Sequence, residues 1–145
     1  MHHVNRIILA LIIASTSGAL FAANLPSDDF TGKWYSQIIE DKKVYGTTIF
    51  TQLEILPGDK LFFRIYGFVD EIQIGRVARV FMEIAGTYSI NEHRLIIDLP
   101  EVSAKTEVKR LDEFSLQLTD KTSSVNAISK YVSADKAPWS KSILP

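Results

Sequence analysis

From Phe30 onward, apolar and polar residues alternate in short runs, the period-two signature of strands buried on one face. Trp34, Ser36 and Ile38 fall on one side of a first run, and Ile49, Thr51, Leu53 and Ile55 on one side of a second. Pro57-Gly58-Asp59 supplies the chemistry of a tight turn: a fixed φ, a residue tolerant of positive φ, and a side chain that bonds backbone locally. Leu61, Phe63, Ile65, Gly67 and Val69 then share a face, and Asp70-Glu71 marks a break. Ile72, Ile74, Ala78, Val80, Met82 and Ile84 form the apolar face of the next predicted strand, with Gly75 inside it as the site of a bulge or bend. Gly86–Ile90, Leu95–Leu99, Ala104–Arg110, Phe114–Leu118 and Asn126–Val132 complete the series, with a short capped helical turn over Leu25–Phe30.

Eight or nine strands at this spacing predict an all-β fold, an antiparallel up-and-down β-barrel of about eight strands. Short connections make sequence neighbours antiparallel neighbours, and closure leaves no exposed edge. Eight strands enclose either packed side chains or one small ligand. Gln52, Glu54, Gln73 and Glu83 hold outward positions, which argues against a barrel that spans a membrane.

The first 22 residues read differently. Arg6 follows two histidines, Ile7–Ala14 are uninterruptedly apolar, and small residues lead to Ala22-Ala23. That is the pattern of a secretory signal, too short for a membrane span. The expected organisation is a signal peptide over 1–22 and a single β-barrel domain over 23–145, periplasmic or secreted and not membrane-spanning once the signal is removed.

Composition narrows the chemistry. With 46% apolar residues in 145, the chain can bury a core of its own. A net charge of −1 gives no reason to expect nucleic acid as partner. The absence of cysteine removes disulfides, thiolate metal sites and a Cys nucleophile. The acidic residues are scattered, so no metal site is expected. After removal of the signal, His93 is the one histidine left, at a turn between Glu92 and Arg94 where a solvated role is the simplest. No phosphate loop or nucleophile elbow is present, so the expectation is no catalytic residue, no cofactor and no enzyme.

Phe30-Thr31-Gly32-Lys33-Trp34-Tyr35 resembles the opening motif of lipocalins, small calycin-type barrels, in which a tryptophan follows a glycine at the start of the first strand. Thr119-Asp120 resembles the start of a second lipocalin motif but lacks the tyrosine two residues later. The arginine that in lipocalins covers the Trp from the final strand has no counterpart there, Lys130 being the nearest basic residue. The resemblance implies that Trp34 closes the base of the barrel and that a small, mostly apolar ligand, such as a lipid, binds inside. Candidate wall residues are Phe50, Phe63, Phe81, Tyr88 and Phe114, with Arg76 or Arg110 as an anion handle. Arg76 shares the parity of the apolar Ile72–Ile84 face, but a bulge at Gly75 would turn it to solvent.

Phe62, Arg64, Tyr66 and Phe68 make the other face of their strand apolar too. An exposed patch of this kind would be a protein interface, so the alternative reading is an envelope protein-binding module of the inhibitor or immunity type. The competing explanation is that the tail around Ala137-Pro138-Trp139 covers these residues.

Overall fold

The computed structural model describes residues 28–41, 47–122 and 127–144. Their strands are β1 (Gly32–Ser36), β2 (Ile39–Asp41), β3 (Thr47–Ile55), β4 (Lys60–Glu71), β5 (Gly75–Asn91), β6 (Arg94–Leu99), β7 (Ala104–Asp112), β8 (Ser115–Asp120) and β9 (Ile128–Ser133). From β2 to β9 each strand pairs antiparallel with the next, and β1 pairs with both β9 and β3, which closes the sheet. β2 lies on β3 beyond β1: Tyr35 stands opposite Gln52 and Ile39 opposite Ile49. β1 and β2 are therefore two pieces of one side, interrupted at Gln37-Ile38, and the barrel has eight sides in up-and-down order. The all-β up-and-down barrel expected from the alternation is the observed architecture.

Alternation fills the interior. Leu53 and Ile55 of β3, Leu61 of β4, Ile84 of β5, Leu95, Ile97 and Leu99 of β6, Val108 of β7, and Leu116 and Leu118 of β8 form one buried cluster with Phe30, Trp34 and Tyr131. Each such side chain, fully buried, contributes roughly 1.5–3 kcal/mol before ordering costs.

The expected strand over Ile72–Ile84 and the short one over Gly86–Ile90 are a single strand, β5, of 17 residues. Gly75 is not in mid-strand: with φ +81° it ends the turn joining β4 to β5, and Ile72 at the tip is fully exposed. The bulge lies instead between the Ile65–Met82 and Tyr66–Val80 pairs, so Phe81 is the extra residue. Parity reverses there: Met82 and Ile84 share the inward side of Ile65 and Phe63, while Arg76, Ala78 and Val80 share the outward side of Asp70, Phe68 and Tyr66. Gly86 needs its missing side chain, because a Cβ would stand 2.6 Å from the Asp98 carbonyl oxygen and from Leu99 Cδ2.

The outer face of β1, β3 and β4 carries a second apolar layer. After β9 the chain returns through short 3-10 turns, Ala134–Lys136 and Pro138–Ser142, across that face. Ala137 is fully buried against Tyr35, Phe50, Tyr66 and Ala78, with Trp139 and Ile143 packed beside them. Phe50 stacks on Tyr66 at 5.2 Å between ring centroids, and Ile143 bridges to Ala78 of β5.

The signal segment lies outside the described residues, as do Leu25–Ser27 of the expected helical turn and Asn126 of the last expected strand. Asp28, Asp29 and Phe30, the rest of that turn, are not helical.

Candidate ligand cavity

One end of the barrel is closed. Trp34 is buried on the inner side of β1, and its indole N–H donates to the Phe30 carbonyl at 2.9 Å, so the one polar atom of a large apolar body is satisfied. Gly32, with φ +126°, turns the chain between these two rings, a conformation that favours glycine. Arg110 shares the inward side of Leu116 and lies over both rings, its guanidinium carbon 5.4 Å from each centroid. Its N–H groups donate to the carbonyls of Asp29, Asp112 and Glu113, which ties the N-terminal segment to the β7–β8 turn. Asp29 in turn accepts from the Thr31 hydroxyl at 2.6 Å and the Thr31 N–H at 3.0 Å, and these bonds hold its carboxyl below the usual carboxylate range. His93 and Asp28 meet at 2.8 Å on the exposed outside of this end.

Among the described residues, the other end is open. A cavity of about 320 Å³ occupies the interior there, within the ~300–1,000 Å³ typical of small-molecule sites. Its walls are Leu53, Phe63, Ile84, Ile97, Leu99 and Leu118, with Val102, Ala104 and Ala127 around the mouth. Four polar side chains join them: Thr106, Asp120, Ser129 and Tyr131. The Tyr131 phenol shares a short hydrogen bond with the Thr51 hydroxyl, and burial pushes its pKa up to about 12, so it is uncharged at neutral pH. Asp120 is the opposite case. The Thr122 hydroxyl and backbone N–H hold its carboxyl below the ordinary value, and it is ionised at neutral pH.

Of the residues predicted to bind a ligand, Phe63 lines this cavity. Trp34 and Tyr88 are inside the barrel but pack in its core, the Tyr88 hydroxyl donating to the Leu56 carbonyl at 2.6 Å. Arg110 seals the closed end. Phe50 is on the outer face under the tail, because β3 buries both of its sides. Arg76 points outward and lies 4.5 Å from the Phe68 ring centroid, since the bulge at Phe81 separates its parity from that of Ile84. Phe81 is half exposed at the bulge, and Phe114 is in the turn before β8 with the Lys136 ammonium over its ring. The residues the sequence reading missed are mostly aliphatic: Ile97, Leu99 and Leu118 carried the inward parity, but aromatic side chains drew the attention. Tyr131 and Asp120 had no local signal.

Among the predicted interface residues, Tyr66 is buried by the tail and Phe68 half-buried. Arg64 bonds to Glu54, to Glu83 at 2.6 Å and to the buried Gln52 amide at 2.8 Å, and it stands over the Phe62 ring.

No helix among the described residues is long and apolar enough to cross a membrane. No protein-family model and no curated protein matches this chain. Among solved structures, the crystal structure of a single-residue mutant of the fluorescent protein UnaG is similar at a TM-score of 0.38, with 15% identity over 72% of this chain and 96% of that one.

Proposed function

We propose that this protein is an exported carrier or sensor that binds one small, mostly apolar molecule inside the barrel without transforming it. The observation that carries the reading is the cavity of about 320 Å³ at one end of the barrel, set against a closed end in which Arg110 lies over the Trp34 ring and bonds three backbone carbonyls. Aliphatic walls contribute affinity by removing apolar ligand surface from water, at ~25 cal/mol per Å² before ordering costs. The few polar groups fix orientation. Export rests on the signal-like first 22 residues. The lipocalin type suggested by Gly32-Lys33-Trp34 is consistent with Trp34 at the closed end, and an arginine does cover that ring, although from β7 and not from the last strand.

The alternative, a protein-binding module acting through Phe62, Arg64, Tyr66 and Phe68, has weaker support, because the tail occupies much of that face. Native mass spectrometry of the protein, exported with its signal and purified without detergent, tests both readings. A mature mass lacking the first 22 or so residues, plus a few hundred daltons lost on denaturation, is the expected result. An unliganded mass that stays unchanged after incubation with lipid extract would overturn the ligand-binding reading.

A further inference from the structure

We infer that the ligand's polar end carries no negative charge and donates hydrogen bonds, an ammonium being the best match and a hydroxyl the next; this rests on the cavity being the binding site. The argument starts from what lines it. None of its described lining residues is Lys, Arg or His, while Asp120 contributes a carboxylate. The two arginines expected to receive an anion are engaged elsewhere, Arg76 on the outer face against Phe68 and Arg110 at the closed end against Trp34 and backbone carbonyls.

A carboxylate or phosphate entering this cavity would lose water without gaining a cation from the described lining, and would approach a fixed negative charge. Both effects act against it. The Tyr131 phenol and the Thr51 hydroxyl bond each other, so one of their two protons is already committed. Thr106 and Ser129 hydroxyls each offer lone pairs as well as a proton. Together with Asp120 they make the polar part of the cavity richer in acceptors than in donors. An ammonium beside Asp120 would gain a charge-assisted hydrogen bond while its hydrocarbon part meets the Leu99 and Leu118 walls. The volume suits one hydrocarbon chain or a small ring system, not a two-chain lipid.

The test compares three amphiphiles of equal chain length: dodecylamine, dodecanol and dodecanoate. Each displaces the neutral fluorophore N-phenylnaphthylamine from the mature protein at neutral pH, below its aggregation concentration. The expected order is amine, alcohol, acid, with the amine at least about tenfold tighter than the acid. Asp120→Asn keeps the acceptor that holds the Thr122 N–H, so the turn is retained; it should weaken the amine and strengthen the acid. A dodecanoate affinity equal to or above that of the amine overturns the inference while leaving the ligand-binding reading standing. So does an amine preference that survives Asp120→Asn in a variant whose circular dichroism and melting match the parent. Failure of the fluorophore and all three amphiphiles to bind removes the ligand-binding reading, and this inference with it.

Discussion

The two ends of the barrel are built from the same alternating strands and finished in opposite ways. At the closed end, large rings meet in the middle and most of the polar groups that accompany them have protein partners: the Trp34 N–H bonds Phe30, and the two terminal guanidinium nitrogens of Arg110 bond three carbonyls, while its Nε is buried without one. At the open end aliphatic side chains alternate with Phe63 and four polar residues around the cavity, and the β6–β7 connection leaves Val102 half exposed at the mouth. The difference teaches where the cross-links are placed: the plug ties the N-terminal segment to the β7–β8 turn at one end, and the cavity lies at the other.

The largest effect should come from removing the plug. Trp34→Ala deletes a buried ring from the centre of the packed end and leaves the Phe30 carbonyl without its donor, at a cost of about 3–5 kcal/mol. Urea unfolding of the two proteins measures this, and a loss below about 1 kcal/mol would mean that the closed end is not where stability is concentrated.

Tyr131 lies between the two ends, and its effect depends on pH. Its folded pKa is raised to about 12, above the ordinary value near 10. The native state therefore holds the phenolic proton more tightly than the unfolded chain does. That contribution is fully present below about pH 10 and is lost as pH rises through 12, a change of about 3 kcal/mol. The stability difference between the parent and Tyr131→Phe should shrink or reverse over that window and stay flat from pH 6 to 9. A difference that is flat throughout would show the phenol to be solvated.

Phe63→Ala probes the open end with a similar change in ring size. Phe63 is half-buried and already borders the cavity, so its loss enlarges an existing space instead of creating an enclosed one. The expected cost is about 2 kcal/mol, the burial contribution of the ring without a cavity penalty of the Trp34 kind. Equal losses for Trp34→Ala and Phe63→Ala in the same urea series would erase the contrast between the ends.

Alternation made the barrel legible, because one face of each strand must meet the core and the period of two shows which. The same rule misplaced β5. A bulge interrupts parity without any local mark at Phe81: what sets it is the pairing of Ile65 and Tyr66 across the hairpin, a tertiary fact. Gly75, the visible candidate, is in the turn. β3 and β4 are apolar on both sides because the tail supplies a second layer, and the lone Trp139 was the one sequence feature that pointed to it. The cavity was least legible. Its walls are mostly ordinary aliphatic residues whose parity matches that of the packed core, so alternation does not set them apart. The Arg110–Trp34 contact joins residues far apart in the chain, and neither position marks the other in advance.

The smallest predicted effect concerns how the plug is buttressed. Asp29 closes a local turn onto Thr31 and presents its own carbonyl to Arg110, while Asp120 at the open end closes the same kind of turn onto Thr122. Both carboxyls are held below their ordinary values by these bonds, so both contribute stability that is present above about pH 4 and lost as pH falls through the depressed folded value. Asp29→Asn keeps a turn acceptor but removes the charge facing Arg110. Its destabilisation should be smaller than that of any change above, clearest near pH 6, and should vanish as pH falls through the parent carboxyl's depressed folded value. Asp120→Asn should follow the same pH course without weakening the plug. Amide exchange at Arg110 and Leu111 separates the two: it should quicken near pH 6 in Asp29→Asn alone. Equal quickening in both variants would mean that the ends of the barrel are mechanically coupled, and that the plug does not stabilise its own end independently of the mouth.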